Sequence, residues 1–377
     1  MTPIDRRQCL ASLGLALGGL GIGRLPGAQA AALSAGPAND GELARLSLNE
    51  NPLGPAPGVI PALQRELANV CRYTGDEFDA LAGAIATGEG VSREQVILGE
   101  ILEPLGTHLS LRGGLGGEFI YSDPGYTALI DAAVAVGGRA VPVPLNARLE
   151  NDLPALAARV NERTRALYLV NPHNPTGIVA GANELKNFAR TVSRRALVIV
   201  DEAYLEFADH FAERTLTELV RGGDNVIVFR TFAKVYGLAG LEIGYGLVPP
   251  AIARVLIAQG LNNPHLFNRL AVAAAAASLG AAGYVERVTR EVAGEREQWV
   301  QLFHELKARY TPSSANFVFF ETGVPHAAFA AAMLQEHVAI GHVFPPYDRW
   351  ARISIGLSGE NARARAAVRK VLPALRA

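Results

Sequence analysis

From about Arg93 onward the chain alternates short β-rich runs with helix-length segments, and this rhythm narrows the possible folds most. Residues 118–121, 166–170, 197–200 and 226–229 are the clearest predicted strands, rich in Val, Ile, Leu, Phe and Tyr. Residues 183–192 and 252–259 are predicted helices between or after them. Such alternation predicts an α/β fold with a mostly parallel sheet covered by helices. The alanine-dominated run 271–277 reads as a close-packed helix, and 284–310 as a long helical stretch. A short mixed α/β tail follows, and no internal repeat is present.

Three predicted strands run directly into polar clusters. Val170 leads to Asn171-Pro172-His173-Asn174-Pro175-Thr176-Gly177, Val200 to Asp201-Glu202-Ala203-Tyr204, and Phe229 to Arg230-Thr231-Phe232-Ala233-Lys234. In a parallel sheet the carboxyl ends of neighbouring strands line one crevice, where ligands bind. The asparagine, aspartate and lysine are therefore expected to meet in space. A buried lysine beside a polar aromatic pocket is a good Schiff-base nucleophile, because desolvation favours its neutral form. An opposing aspartate can keep a pyridine nitrogen protonated, which turns the ring into an electron sink. An amide and a phenol nearby can hydrogen-bond a ring oxygen. This chemistry does not single out one cofactor. Taken singly, Asp201 reads as a helix N-cap, Asn174 as a turn residue and Tyr126 as a core aromatic. Gly113-Gly114-Leu115-Gly116-Gly117 precedes a strand instead of following one, so it reads as a turn rather than a phosphate loop.

Composition excludes several classes. The 377 residues suffice for a large domain plus a smaller one. With 49% apolar and 19% charged residues the chain reads as globular rather than disordered. A net charge of −1 gives no basic footprint for nucleic acid. The eight histidines form no HExxH and there is no cysteine cluster, so no metal site is proposed. The two cysteines are Cys9 and Cys71, and loss of the first would leave no internal disulfide.

Residues 1–30 read as an export signal. Arg6 and Arg7 precede an apolar run over 10–22, and Ala28-Gln29-Ala30 is a small-residue cleavage site. The run is too short to span a bilayer core, so no stable membrane insertion is expected after cleavage. Asp5-Arg6-Arg7-Gln8-Cys9-Leu10 resembles a twin-arginine signal, which implies a periplasmic or otherwise exported protein, or a cytoplasmic one if the signal does not function. Residues 31–41 read as a linker. The expected division is 1–30 signal, 31–75 N-terminal arm with part of a small domain, 76–280 large domain, and 281–377 C-terminal small domain.

Asn174-Pro175-Thr176-Gly177, Asp201-Glu202-Ala203-Tyr204, Thr231-Phe232-Ala233-Lys234 and Gly237-Leu238-Ala239-Gly240-Leu241 match the class I/II aminotransferases in order and spacing. Ser47-Leu48-Asn49-Glu50-Asn51-Pro52-Leu53-Gly54-Pro55 and Arg72-Tyr73 resemble the histidinol-phosphate aminotransferase branch, and Arg352-Ile353-Ser354-Ile355-Gly356 resembles the segment carrying a substrate-carboxylate arginine. The resemblance covers nearly all of residues 43–376. It implies the aspartate-aminotransferase fold (fold type I), pyridoxal 5'-phosphate as cofactor, and an α-amino acid and 2-oxo acid as substrates.

By this resemblance Lys234 forms the Schiff base and shuttles a proton. Asp201 pairs with the ring nitrogen, and Tyr204 and Asn174 bond the ring oxygen. Tyr126 stacks on the ring and Thr231 touches the phosphate, aided by the backbone near Gly99, Glu100 and Ile101. Tyr73 reaches the phosphate of a neighbouring subunit, which implies a homodimer. Arg352 forks the substrate carboxylate, with Asn174 and Asn49 beside the substrate.

Two departures stand out. Glu242 occupies the position where the family usually has a phosphate-pairing arginine, so it either pairs with a cation such as Arg230 or faces the phosphate. Leu98-Gly99-Glu100-Ile101-Leu102-Glu103 is shorter than the usual phosphate-cradling turn. The branch tends to place an arginine for a substrate phosphate where this chain has Gly341-His342-Val343, which disfavours histidinol phosphate as substrate. Racemisation, epimerisation or decarboxylation on the same scaffold, and a non-catalytic binding relative, are the alternatives to transamination.

Overall fold

The computed structural model describes residues 43–112 and 114–377. The signal-like segment, the linker and Gly113 lie outside the described residues. A seven-stranded sheet forms the centre. Its strands are β2 (Val96–Leu98), β3 (Glu118–Asp123), β4 (Arg139–Pro144), β5 (Thr164–Val170), β6 (Leu197–Asp201), β7 (Val226–Thr231) and β8 (Gly244–Leu247). They lie in the order β2-β8-β7-β6-β5-β3-β4. All neighbouring pairs from β7 to β4 are parallel, whereas β8 runs antiparallel to both β7 and β2. The four strands predicted from sequence are β3, β5, β6 and β7. The middle three of the sheet, β5 to β7, are almost continuously apolar and buried, as strands covered on both faces must be.

The flanking helices follow from local chemistry. Asp76–Glu89 carries Asp76, Glu77 and Asp79 in its first turn, where carboxylates oppose the helix dipole, and stops at Gly90 in the left-handed conformation. Ala182–Val192 buries Leu185, Ala189 and Val192, one stripe at helical spacing. Tyr284–Glu305 is the long helix, and it stops short of Tyr310. Lys307 there takes a positive φ, and Tyr310 instead bridges to Phe320.

The N-terminal strand β1 (Ala44–Leu46) pairs parallel with β10 (Val338–Ile340), and β9 (Phe317–Glu321) pairs antiparallel with β11 (Trp350–Ser354). These pairings carry Asn49 and Arg352 to each other's vicinity, since Ser354 bonds both the amide and the side chain of Asn49. No helix among the described residues is long and apolar enough to cross a membrane.

The antiparallel β8 sets the site. Its first residue Gly244 lies opposite Thr231 at the carboxyl end of β7. Leu98, the last residue of β2, lies opposite Tyr245. The ends of β2, β3, β5, β6 and β7 and the start of β8 therefore share one edge.

Candidate active site

A cavity of about 410 Å³ opens at that edge, lined by Lys234, Asp201, Tyr204, Tyr126, Thr231 and Glu100 among others. They come from four strand ends or the turns after them, those of β2, β3, β6 and β7. Tyr126 follows β3 through Gly125, where a Cβ would come within 2.4 Å of the Ser122 carbonyl oxygen, so the tight turn that presents the ring requires glycine.

Asp201 ends β6 and is buried at 3% exposure. Its Oδ2 accepts from the Tyr168 hydroxyl at 3.1 Å and its Oδ1 from the Ala203 N–H at 2.9 Å. Burial outweighs these bonds and pushes its carboxyl up to about 7. A buried carboxylate in that state gains from a cationic partner, and a protonated ring nitrogen is one. Tyr168 was not anticipated from sequence, because a tyrosine inside an apolar strand reads as core.

Lys234 lies three residues past the end of β7 and is half-buried rather than buried, because the cavity is open on its side. Its Nζ donates to the Leu48 carbonyl at 3.5 Å and sits 5.7 Å from the centre of the Tyr204 ring. The Tyr204 hydroxyl accepts from Asn49 Nδ2 at 3.3 Å. Tyr126 is 46% exposed, and burial of the rest of its ring, with Asp201 and Glu100 nearby, pushes its phenol up to about 12.

Arg352, Asn174 and Asn49 are buried next to this cavity but are not among its lining residues. Arg352 donates to Asn174 Oδ1 at 2.6 Å and to the Ser47 carbonyl at 2.7 Å, between the rings of Phe317 and Phe344. Its Nε has no acceptor. A Cβ on Gly341 would lie 3.1 Å from that Nε, so glycine here leaves the fork unobstructed. Desolvation lowers the Arg352 pKa from its usual value, as expected of a cation awaiting an anion.

One expected contact is corrected, and one of the two alternatives for Glu242 is decided. The Gly99 N–H donates to the Gly244 carbonyl at 2.8 Å, because β2 pairs with β8 there, and is not available to an anion. Ile101 is buried with its side chain against Gly246, while its N–H makes no hydrogen bond among the described residues. Glu242 does not pair with Arg230. It takes a positive φ of 48° and lines the cavity, whereas Arg230 points to the opposite face of the sheet and pairs with Glu89 and Glu202. Tyr73 is 75% exposed, lies tilted against the His265 ring, and is absent from the lining of its own chain's cavity.

The donor set fits one half of pyridoxal phosphate. Asp201, Tyr204, Tyr126 and Lys234 suit the ring and its aldehyde. The other half meets Glu100 and Glu242, with no cation beside them in the lining other than Lys234.

Residues 45–370 match the model of the family "Aminotransferase class I and II". The histidinol-phosphate aminotransferase of Moorella thermoacetica is 36% identical over 341 residues, 88% of this chain and 86% of that protein. An aromatic amino acid aminotransferase of Rhodococcus jostii is 36% identical over 319 residues, 84% of this chain and 87% of that protein. The crystal structure of the histidinol-phosphate aminotransferase of Sinorhizobium meliloti in complex with pyridoxal-5'-phosphate superposes with a TM-score of 0.79 at 32% identity, covering 89% of this chain and 92% of that one. Sheet order, strand-end chemistry and these matches agree: the chain belongs to the class I and II aminotransferases, pyridoxal-phosphate-dependent enzymes of fold type I.

Proposed function

We propose that this aminotransferase works on an α-amino acid whose carboxylate is held by Arg352 and whose α-proton is moved by Lys234. Arg352 carries the reading: a buried guanidinium with an acceptor-free Nε, behind an open cavity that holds a lysine amine. Bound pyridoxal phosphate supplies an aldehyde carbon for amine exchange and an electron-withdrawing ring. Asp201 would hold the ring nitrogen, Tyr204 and Asn174 the ring oxygen, and Tyr126 the ring face.

The chain's own groups do the rest. Arg352 fixes the substrate by two parallel charge-assisted bonds, which orient the α-carbon toward Lys234. The Lys234 Nζ then takes the α-proton and returns one on the other side of the exchange. Asn174 couples the two ends, because its Oδ1 accepts from Arg352 while its Nδ2 remains for the ring oxygen.

Arg352→Lys tests this. A point charge cannot reproduce the fork, and loss of one charged bond worth ~2–3 kcal/mol lowers kcat/KM for amino-acid substrates by ~10²-fold. Unchanged kinetics would show that the carboxylate binds elsewhere.

Two further features belong to this reading. A homodimer places Tyr73 of one copy at the cavity of the other. The exposure of Tyr73, and of Leu67 and Val70 nearby in sequence, supports it. Export by the twin-arginine route rests on Arg6, Arg7 and the Ala28-Gln29-Ala30 site. The exported protein is expected to lack residues 1–30, and changing Arg6 and Arg7 together to lysine stops export. N-terminal sequencing of the periplasmic fraction checks the first point, and continued export of the double variant would refute the second.

A further inference from the structure

The end of the cavity that should meet a phosphate is built from carboxylates. Glu100 Oε1 accepts from the Thr231 hydroxyl at 2.6 Å, so the hydroxyl expected for the phosphate already has an internal anion. A Cβ on Gly244 would lie 3.0 Å from the same Glu100 oxygen, which places that oxygen where β2, β7 and β8 converge. Glu103 and Glu242 line the same space. The backbone offers little in return. The Gly99 N–H is bonded to Gly244, Pro104 has no N–H, and the Leu105 N–H donates to Ile101. Helix Leu102–Arg112 thus begins with a carboxylate of its own in the first turn, and the backbone donors left there, those of residues 100–103, share the space with the Glu100 and Glu103 carboxylates.

A phosphate dianion there faces Glu100 and Glu242 in a partly desolvated space, where like charges repel strongly. An uncharged hydroxymethyl group meets the same carboxylates as a hydrogen-bond donor. Burial and the neighbouring Glu242 raise the Glu100 pKa, a further sign that additional negative charge is unwelcome.

We propose that this cavity does not favour a phosphate on its cofactor, so that unphosphorylated pyridoxal binds at least as tightly as pyridoxal phosphate. This rests on the Lys234 cavity being the cofactor site. Glu100 and Glu242 are the specificity-determining residues: they replace the anion cradle by an acceptor for a hydroxyl.

The test is equilibrium titration of the full mature protein with pyridoxal and, separately, with pyridoxal phosphate, followed by absorbance of the bound chromophore. The expected wild-type ratio of Kd for the phosphate ester to Kd for pyridoxal is one or more. Glu100→Gln combined with Glu242→Gln tightens the phosphate ester by at least tenfold and leaves pyridoxal within about threefold. Both side chains line the open cavity and not the hydrophobic core, and circular dichroism confirms folding of the variant. A wild-type protein that binds the phosphate ester a hundredfold more tightly than pyridoxal overturns the proposal, whatever the variant does. So does a folded double variant with an unchanged ratio. The ratio is independent of turnover: failure of amino transfer with both vitamers while the ratio holds would count against the aminotransferase reading and not against this one. Failure of either vitamer to bind, with no label on Lys234 after borohydride, would remove the cavity as cofactor site and the proposal with it.

Discussion

Lys234→Arg abolishes amino transfer while leaving the fold intact. The guanidinium keeps the positive charge but is neither a nucleophile nor a proton carrier near neutral pH. Loss of proton transfer by a positioned group alone costs ~10²–10⁴-fold in kcat, and the lost covalent attachment adds to it. Nothing nearby can substitute. Among the residues lining the cavity Lys234 is the one cation, and the remaining ionisable groups are carboxyls and tyrosines. Reduction of the loaded wild-type protein with borohydride, followed by peptide mapping, is expected to label the Lys234 peptide, and the variant to carry no label. Turnover by Lys234→Arg within tenfold of wild type, or a label on another lysine, would remove Lys234 from the chemistry. Arg352, buried at 4% exposure, is the other cation the site reading uses, and its terminal nitrogens are held by Asn174 and Ser47.

The parts of the fold and site that were legible in sequence share one property: their signal is local. Strands β5, β6 and β7 are unbroken apolar runs, and each ends in a polar cluster that a parallel sheet brings to one edge. Asn174, Asp201, Tyr204 and Lys234 follow from that alone, and family resemblance adds Thr231 and Arg352. Strand β8 is Gly-Tyr-Gly-Leu, with too little apolar pattern to be read, and becomes a strand because β7 and β2 pair with it on either side. Everything that β8 positions was correspondingly illegible. The bond between Glu100 and Thr231, the occupied Gly99 amide and the orientation of Glu242 all depend on β2 and β7 meeting across it. The role of Tyr168 was hidden for another reason, since its ring packs as core while only its hydroxyl reaches Asp201.

Arg230 illustrates the same limit, and its removal gives the largest expected loss of stability. Alternate residues of a strand face opposite sides of the sheet. Thr231 therefore points into the cavity, and Arg230 points away from it, to the side where Glu202 turns from the end of β6. Arg230 is buried and donates to Glu202 Oε2 at 3.0 and 3.1 Å, to Glu89 Oε1 at 2.6 Å and to Thr215 at 2.7 Å. Glu202 also accepts from the Leu216 N–H at 2.7 Å, and Glu89 from the Tyr245 hydroxyl at 2.8 Å. One guanidinium thus ties β7 to the end of β6, to the helix Asp76–Glu89 and, through Tyr245, to β8. A buried ion network is a weak net contributor when compared with an apolar replacement of the whole set, but removing one member strands the others. Arg230→Met leaves the buried Glu202 and the partly buried Glu89 without their cation, and the expected cost is ~3–5 kcal/mol. Burial already raises the Glu202 pKa against the pull of Arg230, so without the arginine its carboxyl protonates more readily and the loss is smaller at acidic pH. Urea unfolding of the cofactor-free protein at pH 6 and pH 8 measures both effects. The triple change Arg230→Met, Glu202→Gln and Glu89→Gln is expected to recover part of the loss, because no uncompensated charge remains. A cost below about 1 kcal/mol for Arg230→Met, relative to the 3–5 kcal/mol typical of breaking a buried pair, would mean that water reaches the carboxylates and that the network does not anchor the strand carrying Lys234.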